Sequence, residues 1–246
     1  MSIINLLNLN KFNKKKSSEI LFHCNKILNK FSATDRIRWA LKNLLPNFAI
    51  TSSFGLYSSV ILHMITNQFP KIPVILIDTG YLFPETYQFI DLLKIRLNLN
   101  LYVFRSNISS SWQESRYGKL WENGIEGIDL YNNINKIQPM KHAIKKCFIN
   151  TWFAGLRFNQ SKIRSSFSYL SIKNNIFKIL PILDWNEKNI NEYLKKHDLP
   201  NHPLFKKKYI SLGDVHTTKK YKLGMSKKDT RFFGLKRECG LHDKII

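Results

Sequence analysis

The most constraining feature of the sequence is a continuous apolar run, Pro73-Val74-Ile75-Leu76-Ile77, that stops at Asp78. An unbroken apolar strand is typical of parallel sheets, whose strands are covered by helices on both faces. A similar short run, Phe48-Ala49-Ile50-Thr51, precedes it, and each run leads through a polar loop into a segment with helical spacing. Two successive strand–loop–helix units predict an α/β fold with a parallel sheet.

Further apolar segments extend this pattern along the chain. They predict strands at 101–104, 151–155 and 177–180. Strands that alternate with helices predict a doubly wound, mostly parallel sheet, in which ligands bind beyond the carboxyl ends of the strands. We expect three regions: a peripheral N-terminal helical arm at 1–30, a nucleotide-binding α/β domain at 31–202, and a mobile C-terminal tail at 203–246.

Composition limits the cellular setting and the partners. No apolar run reaches the roughly 18 residues that a membrane span requires, and the first residues have the wrong order for a signal peptide, so we expect a cytoplasmic protein. The three cysteines, Cys24, Cys147 and Cys239, are too few and scattered for a disulfide framework. The net charge of +22 fits a polyanionic partner, but it fits compositional drift toward lysine equally well.

A serine-rich loop, Ser52-Ser53-Phe54-Gly55, follows the first predicted strand. Hydroxyls and exposed N–H groups at a helix start attract anions, so Ser52, Ser53 and Gly55 are candidates to bind a phosphate. The same pattern is also typical of a plain helix cap. The sequence contains neither Gly-x-x-x-x-Gly-Lys nor Gly-x-Gly-x-x-Gly, which argues against an ordinary NTPase or dinucleotide site.

Two other loops at predicted strand ends carry candidate ligands. Asp78-Thr79-Gly80 offers a carboxylate that can bind a ribose hydroxyl or an adenine amino group, although a helix cap and turn is an equally good interpretation. Arg157 and Arg164 follow the fourth predicted strand, and their guanidinium groups match the geometry of phosphate or sulfate. The alternative for both arginines is an ordinary solvated position.

The C-terminal tail contains the residue best suited to nucleophilic chemistry, Cys239. Thiolate is the reactive form of cysteine, and nearby cations lower the thiol pKa. Lys236, Arg237 and His242 all lie within three residues of Cys239, and Gly240 permits a sharp turn that leaves the sulfur open. Cys24 and Cys147 lack such a setting, and the histidines follow no metal-binding spacing, so we predict no metal site.

Six segments together resemble the thioredoxin-dependent phosphoadenylyl-sulfate (PAPS) reductase family. The resemblance covers the chain from about Asp35 to His242. The segments that carry it are Ser52-Ser53-Phe54-Gly55, Ile77-Asp78-Thr79-Gly80-Tyr81-Leu82-Phe83-Pro84-Glu85-Thr86, Trp112-Gln113-Glu114-Ser115-Arg116-Tyr117-Gly118, Trp152-Phe153-Ala154-Gly155-Leu156-Arg157, Leu180-Pro181-Ile182-Leu183-Asp184-Trp185 and Glu238-Cys239-Gly240-Leu241-His242.

The resemblance implies a homodimer with an adenine-nucleotide α-hydrolase type of fold. It implies that PAPS is reduced to sulfite and adenosine 3′,5′-bisphosphate by reduced thioredoxin, or by glutaredoxin, in assimilatory sulfate reduction. Cys239 would attack the sulfur to form a thiosulfonate, while Lys236 and Arg237 offset the repulsion between thiolate and sulfonate. The resemblance also implies that Tyr209 helps to orient the sulfonate.

The chain departs from the family pattern in two places. In the arginine loop, relatives usually have Arg, Glu, Gly and Ser where this chain has Phe158, Asn159, Lys162 and Ile163. Relatives also have Gly before the tail tyrosine, where this chain has Lys208. The altered arginine loop leaves open a non-catalytic relative, although Cys239 and its cationic neighbours are retained.

Two other functions compete with this prediction. An adenylyl-sulfate (APS) reductase resembles this chain but holds a four-iron cluster on cysteines, and the corresponding positions here are Tyr131, Asn132, Asp214 and Thr217. None can supply the thiolate that such clusters need, which favours PAPS and no iron–sulfur cofactor. The charge of +22 instead suggests a nucleic-acid-binding or RNA-modifying relative of the same fold. Phe54 and the lack of an Asp in the first loop argue against the ATP-using members.

Overall fold

The computed structural model of the protein describes residues 14–236 and 240–241, apart from the side chains of 14, 15, 162 and 163. In this part of the chain the helices are α1 Lys14–Asn29, α2 Ala33–Asn43, α3 Ser58–Thr66, α4 Pro84–Arg96, α5 Ser110–Tyr117, α6 Gly124–Asn132, α7 Gln138–Lys146 and α8 Glu187–Lys196. The strands are β1 Phe48–Thr51, β2 Pro73–Ile77, β3 Asn100–Phe104, β4 Thr151–Ala154, β5 Leu170–Lys173 and β6 Ile176–Ile179.

The strands form one six-stranded sheet in the order β3-β2-β1-β4-β6-β5. All neighbouring pairs are parallel except the edge pair β5–β6, which is antiparallel. The predicted doubly wound, mostly parallel α/β fold is therefore confirmed. Strand order reverses direction between β1 and β4, so the crevice between their carboxyl ends is the expected ligand position in such sheets.

The five predicted strands match β1, β2, β3, β4 and β6 to within a residue or two. The sequence prediction missed β5. This strand is short, and it joins β6 through Asn174 and Asn175, which both have positive φ values. An Asn-Asn pair with left-handed backbone is typical of a tight hairpin turn.

Local sequence explains where the helices begin. The Ser32 hydroxyl accepts a hydrogen bond from the N–H of Asp35 at the start of α2, which satisfies one of the orphan donors of the first turn. Helix α4 begins with Pro84 and has Glu85 in its first turn. Proline suits the first helical position, and the acidic residue favours the positive end of the helix dipole.

The expectation of a peripheral N-terminal arm needs correction for the described residues. Helix α1 is present, but Cys24 and Leu28 are fully buried in the hydrophobic core. The helix is joined to the domain because its apolar face covers core residues, and Asn25 bonds both the N–H and the carbonyl of Leu170 in β5. The described part of the arm is thus an integral layer of the fold.

Residues 203–236 have irregular structure, as predicted, with short 3₁₀ turns such as Val215–Thr217 and Lys227–Thr230. This part of the tail nevertheless has buried residues of its own, including Asp214, Thr230 and Phe232. Isolated β-bridges connect Leu82 to Asp214 and Thr218 to Arg231. The predicted mobility of the tail stays a prediction.

Two further observations apply to the described residues. Within them, no helix combines the length and the hydropathy that crossing a bilayer requires.

Cys24 and Cys147 are free thiols, and burial raises the pKa of both. A raised thiol pKa keeps these cysteines protonated and weakly nucleophilic at neutral pH, which agrees with the lack of an activating setting in the sequence around them.

Candidate active site

The loop after β1 opens the crevice at the carboxyl edge of the sheet. Ser52 is buried, and its Oγ accepts a hydrogen bond from the N–H of Phe54 at 3.0 Å. Phe54 has a φ of 49° and a fully buried ring, so its backbone is held in a left-handed turn. Helix α3 then starts at Ser58 without a side-chain cap. The cap interpretation of this serine-rich loop is therefore not supported, and the N-terminal end of α3 keeps its positive dipole for an anion.

Gly155 brings the end of β4 close to α3. A Cβ atom at this position would lie 2.8 Å from Cγ2 of Ile61 in α3, which is closer than real side chains approach. Only glycine permits this spacing without a shift of the helix. The chain that follows, with Arg157 at its start, is therefore held next to the N-terminal half of α3.

Arg157 is the most distinctive cation of the site. Its side chain is almost fully buried, and its guanidinium carbon lies 4.9 Å from the centre of the Tyr57 ring. Burial lowers the pKa of Arg157; Tyr57 and the charge of Glu187, which lies beyond ion-pair distance, oppose this shift, while the charge of nearby Arg164 adds to it. Among the described residues, no carboxylate lies within ion-pair distance of Arg157. Because a buried charge is costly without a counter-charge, an anionic ligand would stabilise this position.

Gln160 links Arg164 to Arg157. The Gln160 side-chain oxygen accepts hydrogen bonds from the backbone N–H of Arg157 and from the guanidinium of Arg164. The altered arginine loop thus still gathers both arginines around one residue that the family pattern retains.

The Asp78 loop is occupied by protein groups. Asp78 is buried, and its Oδ1 accepts hydrogen bonds from the N–H of Gly80 at 2.9 Å and the Tyr87 hydroxyl at 2.7 Å. Its Oδ2 accepts from Nε of Arg105 at 2.7 Å. A carboxylate has about four acceptor positions, so little capacity remains for a ribose or adenine group. A ligand-binding role for Asp78 stays a prediction, and its observed role is to hold Arg105.

Gly80 is required by geometry. Its φ is 78°, and a Cβ here would collide with Oγ of Ser110, the first residue of α5. The loop after β2 therefore runs directly against the start of α5.

Arg105 is a candidate residue that the sequence analysis missed. It follows β3 at the carboxyl edge of the sheet, and its side chain is 67% exposed although Asp78 fixes its Nε. The signal was available, because a polar residue directly after a predicted strand is the pattern that identified the other loops.

A buried ion pair lies next to the loop after β2. Nζ of Lys136 is 2.5 Å from Oδ2 of Asp214, and the Thr79 hydroxyl donates to Oδ1 of Asp214 at 2.6 Å. Burial alone would raise the pKa of Asp214, but the charge of Lys136 and the hydrogen bonds from Lys136 and Thr79 outweigh it and lower this pKa. Thr79, predicted as a substrate ligand, has its hydroxyl directed at the tail instead.

Lys136 lies in a π-helical turn, Asn133–Ile137, between α6 and α7. Such wide turns are rare and are frequent at functional sites, because the extra residue redirects side chains. Nothing in the apolar periodicity of the sequence predicts this turn.

The four positions at which APS reductases are expected to have cluster cysteines are brought together here. Tyr131, Asn132, Asp214 and Thr217 are all buried, and Tyr131 lies beside His216, 5.1 Å between ring centres. His216 stacks on Trp121 at 3.6 Å. Aromatic rings and the Lys136–Asp214 ion pair fill the space between these four positions. Within the described residues, no group of three potential ligands could hold a metal ion.

The tail residues of the candidate site are only partly described. Tyr209 packs its ring edge-on against Phe83 at the start of α4, 5.4 Å between centres, which places it beside the loop after β2. Lys236 forms an ion pair with Asp129 of α6 rather than facing an open site. Cys239, Arg237 and His242 lie outside the described residues, and their roles stay predictions.

Comparison with solved structures identifies the class of fold. A PAPS reductase from Candida auris, solved as a phosphate complex, has a TM-score of 0.72 and 27% identity, covering 85% of this chain and 98% of that one. An FMN adenylyltransferase from Candida glabrata shares the fold alone, with a TM-score of 0.56 and 14% identity over 85% of this chain and 75% of that one. The chain therefore has the predicted fold of the adenine-nucleotide α-hydrolase type.

Sequence comparison narrows this class to one family. The family model described as "Phosphoadenosine phosphosulfate reductase domain" matches residues 47–220. The phosphoadenosine 5′-phosphosulfate reductase of Buchnera aphidicola subsp. Acyrthosiphon pisum (strain 5A) is 58% identical over 243 residues, covering 99% of this chain and 100% of that protein. The one from Photobacterium profundum is 55% identical over 233 residues, covering 94% of this chain and 92% of that protein. The chain belongs to the phosphoadenosine phosphosulfate reductase family, and the predicted family is confirmed.

Proposed function

We propose that the protein is an oxidoreductase of sulfate assimilation that reduces PAPS to sulfite and adenosine 3′,5′-bisphosphate with reduced thioredoxin. The observation that carries this proposal is the buried Arg157 guanidinium beside the Ser52 loop, in a chain 58% identical to a named PAPS reductase. A buried cation at the carboxyl edge of a parallel sheet matches a phosphorylated nucleotide.

The chemistry proceeds in two steps. The Cys239 thiolate attacks the sulfur of the sulfonate, a sulfur–sulfur bond forms, and the sulfur–oxygen bond to the phosphate breaks. Adenosine 3′,5′-bisphosphate leaves, and the protein carries a thiosulfonate. A thioredoxin thiolate then attacks Sγ of Cys239 and sulfite leaves with the bonding electron pair. The second thioredoxin thiol resolves the mixed disulfide, so one dithiol supplies the two electrons that reduce the sulfur.

The roles of the other predicted residues follow from charge. Phosphate oxygens need several donors, which Ser52, Ser53 and the N–H of Gly55 supply together with Arg157 and Arg164. Tyr209, Arg237, Lys236 and His242 act at the sulfonate end, where cations favour the thiolate and offset its repulsion from the substrate. For Lys236 this requires release from Asp129, a surface-accessible ion pair of small net stability.

The proposal includes no iron–sulfur cluster and no other cofactor. The absence of a cluster is supported by the residues at the four cluster positions, none of which is a cysteine.

The proposal also includes a cytoplasmic homodimer. The edge strand β3 exposes Tyr102 and Val103, 43% and 45% of their surfaces, and a second copy of the chain would cover such an apolar edge.

The test is an assay of sulfite release by purified protein with PAPS and either thioredoxin or glutaredoxin, with APS as the competing substrate. We expect turnover with PAPS, little with APS, and no stoichiometric iron or acid-labile sulfide. Preference for APS together with bound iron would make the protein an APS reductase. Absence of sulfite from intact, dimeric protein would contradict the proposed function.

A further inference from the structure

The tail and the nucleotide loop meet at one buried carboxylate. Asp214 belongs to the tail, yet its Oδ1 accepts the Thr79 hydroxyl from the loop after β2, and the backbone N–H of Val215 donates to the carbonyl of Tyr81 at 2.8 Å. Leu82 and Asp214 also form a β-bridge. The segment 79–82 is therefore bonded along its length to residues 214–215.

Lys136 fixes the same carboxylate from a third element. Its ammonium lies 2.5 Å from Oδ2 of Asp214 and 5.4 Å from the centre of the buried Phe232 ring. One lysine in the π-helical turn thus contacts the tail at two points that are well separated in sequence, residues 214 and 232. Residues 214–232 are therefore held against the α/β domain through Lys136, and we call this arrangement the seated tail.

The backbone shows that the seated tail is under strain. Phe232 and Phe233 both have positive φ values, 45° and 56°. Left-handed backbone is unfavourable for a residue with a bulky side chain, and such conformations persist only where the surroundings hold them. Loss of the contacts at Asp214 and Lys136 would therefore release the strained segment around Phe232 and Phe233.

We propose that Asp214 is a positioning residue that couples nucleotide binding to the seating of the tail. The inference rests on the proposed function, because it takes the loop after β2 as part of the nucleotide site. A nucleotide that orders segment 79–82 favours the seated tail, since Thr79 and Tyr81 hold Asp214 and Val215. By reciprocity, a seated tail raises nucleotide affinity by the same factor.

The experiment measures binding of adenosine 3′,5′-bisphosphate by calorimetry and amide hydrogen exchange of residues 212–232 in the full-length protein. In the wild type, we expect the nucleotide to slow exchange in this segment. Asp214→Asn should weaken binding about 5- to 150-fold, the usual range for coupling between two sites, and should abolish the effect of nucleotide on tail exchange.

A second variant protects the test against misfolding. Asp214→Asn leaves the Lys136 charge buried and unpaired, which is strongly destabilising. The double variant Lys136→Met/Asp214→Asn removes both charges, and we expect it to fold and to show the same loss of coupling. In the absence of nucleotide, Thr79→Val should speed amide hydrogen exchange in residues 212–232, because it removes the hydroxyl that donates to Asp214. Thr79→Ser keeps the hydroxyl and should behave like the wild type.

The matched control is Thr151→Val, which removes the buried hydrogen bond from the Thr151 hydroxyl to the carbonyl of Leu45 at the amino end of β4, opposite the edge that holds the nucleotide loops. It should lower the melting temperature and leave nucleotide affinity unchanged. Equal affinities of the wild type and the double variant, unchanged tail exchange on nucleotide binding, or an equal loss of affinity in Thr151→Val would overturn the coupling. If wild-type protein does not bind the nucleotide at all, the proposed function fails as well.

Discussion

Arg105 donates from Nε to Oδ2 of Asp78 across 2.7 Å, which fixes an exposed guanidinium at the end of β3 to a buried carboxylate at the end of β2. The terminal nitrogens of Arg105 make no hydrogen bond or ion pair with the residues that the structure describes, so they are available to a ligand. In this arrangement Asp78 fixes a cation at the edge of the sheet where a ligand is expected, while direct contact of Asp78 with a ligand stays a prediction.

The first prediction concerns Arg105. Arg105→Met should raise the KM for PAPS about 3- to 10-fold with little change in kcat, because an exposed charge pair contributes up to about 1 kcal/mol and a phosphate contact somewhat more. Steady-state kinetics measures this. Arg38→Met, which removes another exposed arginine that pairs with Asp35, is the control and should leave KM unchanged. An unchanged KM in Arg105→Met would show that the guanidinium faces solvent only.

The second prediction concerns Arg157. Arg157→Met should weaken binding of adenosine 3′,5′-bisphosphate by about 10- to 100-fold, since a hydrogen bond to a charged group contributes about 1.5–3 kcal/mol. Calorimetry measures the affinity. The free protein should not lose stability, because the variant removes a buried charge that no described carboxylate pairs. A lower melting temperature with unchanged affinity would instead indicate a structural arginine.

The third prediction follows from the backbone at Lys208. Where relatives have glycine, this lysine has a φ of 62° and a ψ of 24°, a left-handed conformation. Lys208→Gly should therefore raise the free energy of unfolding by up to about 1 kcal/mol, the relief of left-handed strain minus the entropy cost of glycine. Lys206→Gly, in the preceding 3₁₀ turn, should lower it. Denaturant unfolding compares the two; destabilisation by both changes would contradict the strain at Lys208.

The fourth prediction is a pH dependence of stability. His202 is buried, and burial lowers its pKa to about 4. Its Nδ1 accepts the N–H of Leu204 at 3.0 Å, so its Nε2 carries the proton toward Thr86. The unfolded chain, with a His pKa near 6.5, binds more protons between these values. The free energy of unfolding should therefore fall as the pH drops from about 6.5 to 4, by at most on the order of 3 kcal/mol for this residue.

Unfolding measured across this pH range tests the assignment. His216, whose pKa burial also lowers to about 4, should contribute a similar slope. His202→Gln should show a smaller slope, which retains the contributions of His216 and of His63, whose pKa burial also lowers. Equal slopes in the variant and the wild type would show that His202 does not titrate in this way.

Sequence reasoning predicted the features that depend on local pattern. Continuous apolar runs identified the central strands, because a strand buried on both faces cannot alternate, and polar residues after those strands marked the sheet edge. The strand β5 escaped detection because it has only four residues, and so short an alternation of apolar and polar side chains does not stand out in the sequence. The buried face of α1 was missed because Cys24 and Leu28 stand among many lysines and asparagines.

The parts of the site that could not be predicted depend on contacts between distant residues. The sequence separates Lys136 from Asp214 by 78 positions, and only the π-helical turn and the tail path bring them together. The same holds for Asp78, which local pattern marked as a ligand group but which Tyr87 and Arg105 occupy. Long-range pairs of this kind leave no periodic signal in a single sequence.

Replacement of the nucleophile separates binding from chemistry. Cys239→Ser should abolish sulfite release and leave the affinity for adenosine 3′,5′-bisphosphate nearly unchanged, because a hydroxyl of similar size lacks the reactivity of a thiolate. Cys147→Ser is the matched control and should retain activity, since the pKa of the Cys147 thiol is raised by burial. Full turnover in Cys239→Ser would exclude this residue as the nucleophile.

The central claim is that Cys239 carries the sulfonate between the nucleotide and thioredoxin. The most direct test is mass spectrometry of the protein after mixing with PAPS in the absence of reductant, followed by peptide mapping. We expect the added mass of one SO₃ group on the peptide that contains Cys239, and its loss on addition of reduced thioredoxin. An unmodified Cys239 peptide, or the adduct on Cys24 or Cys147, would contradict the account.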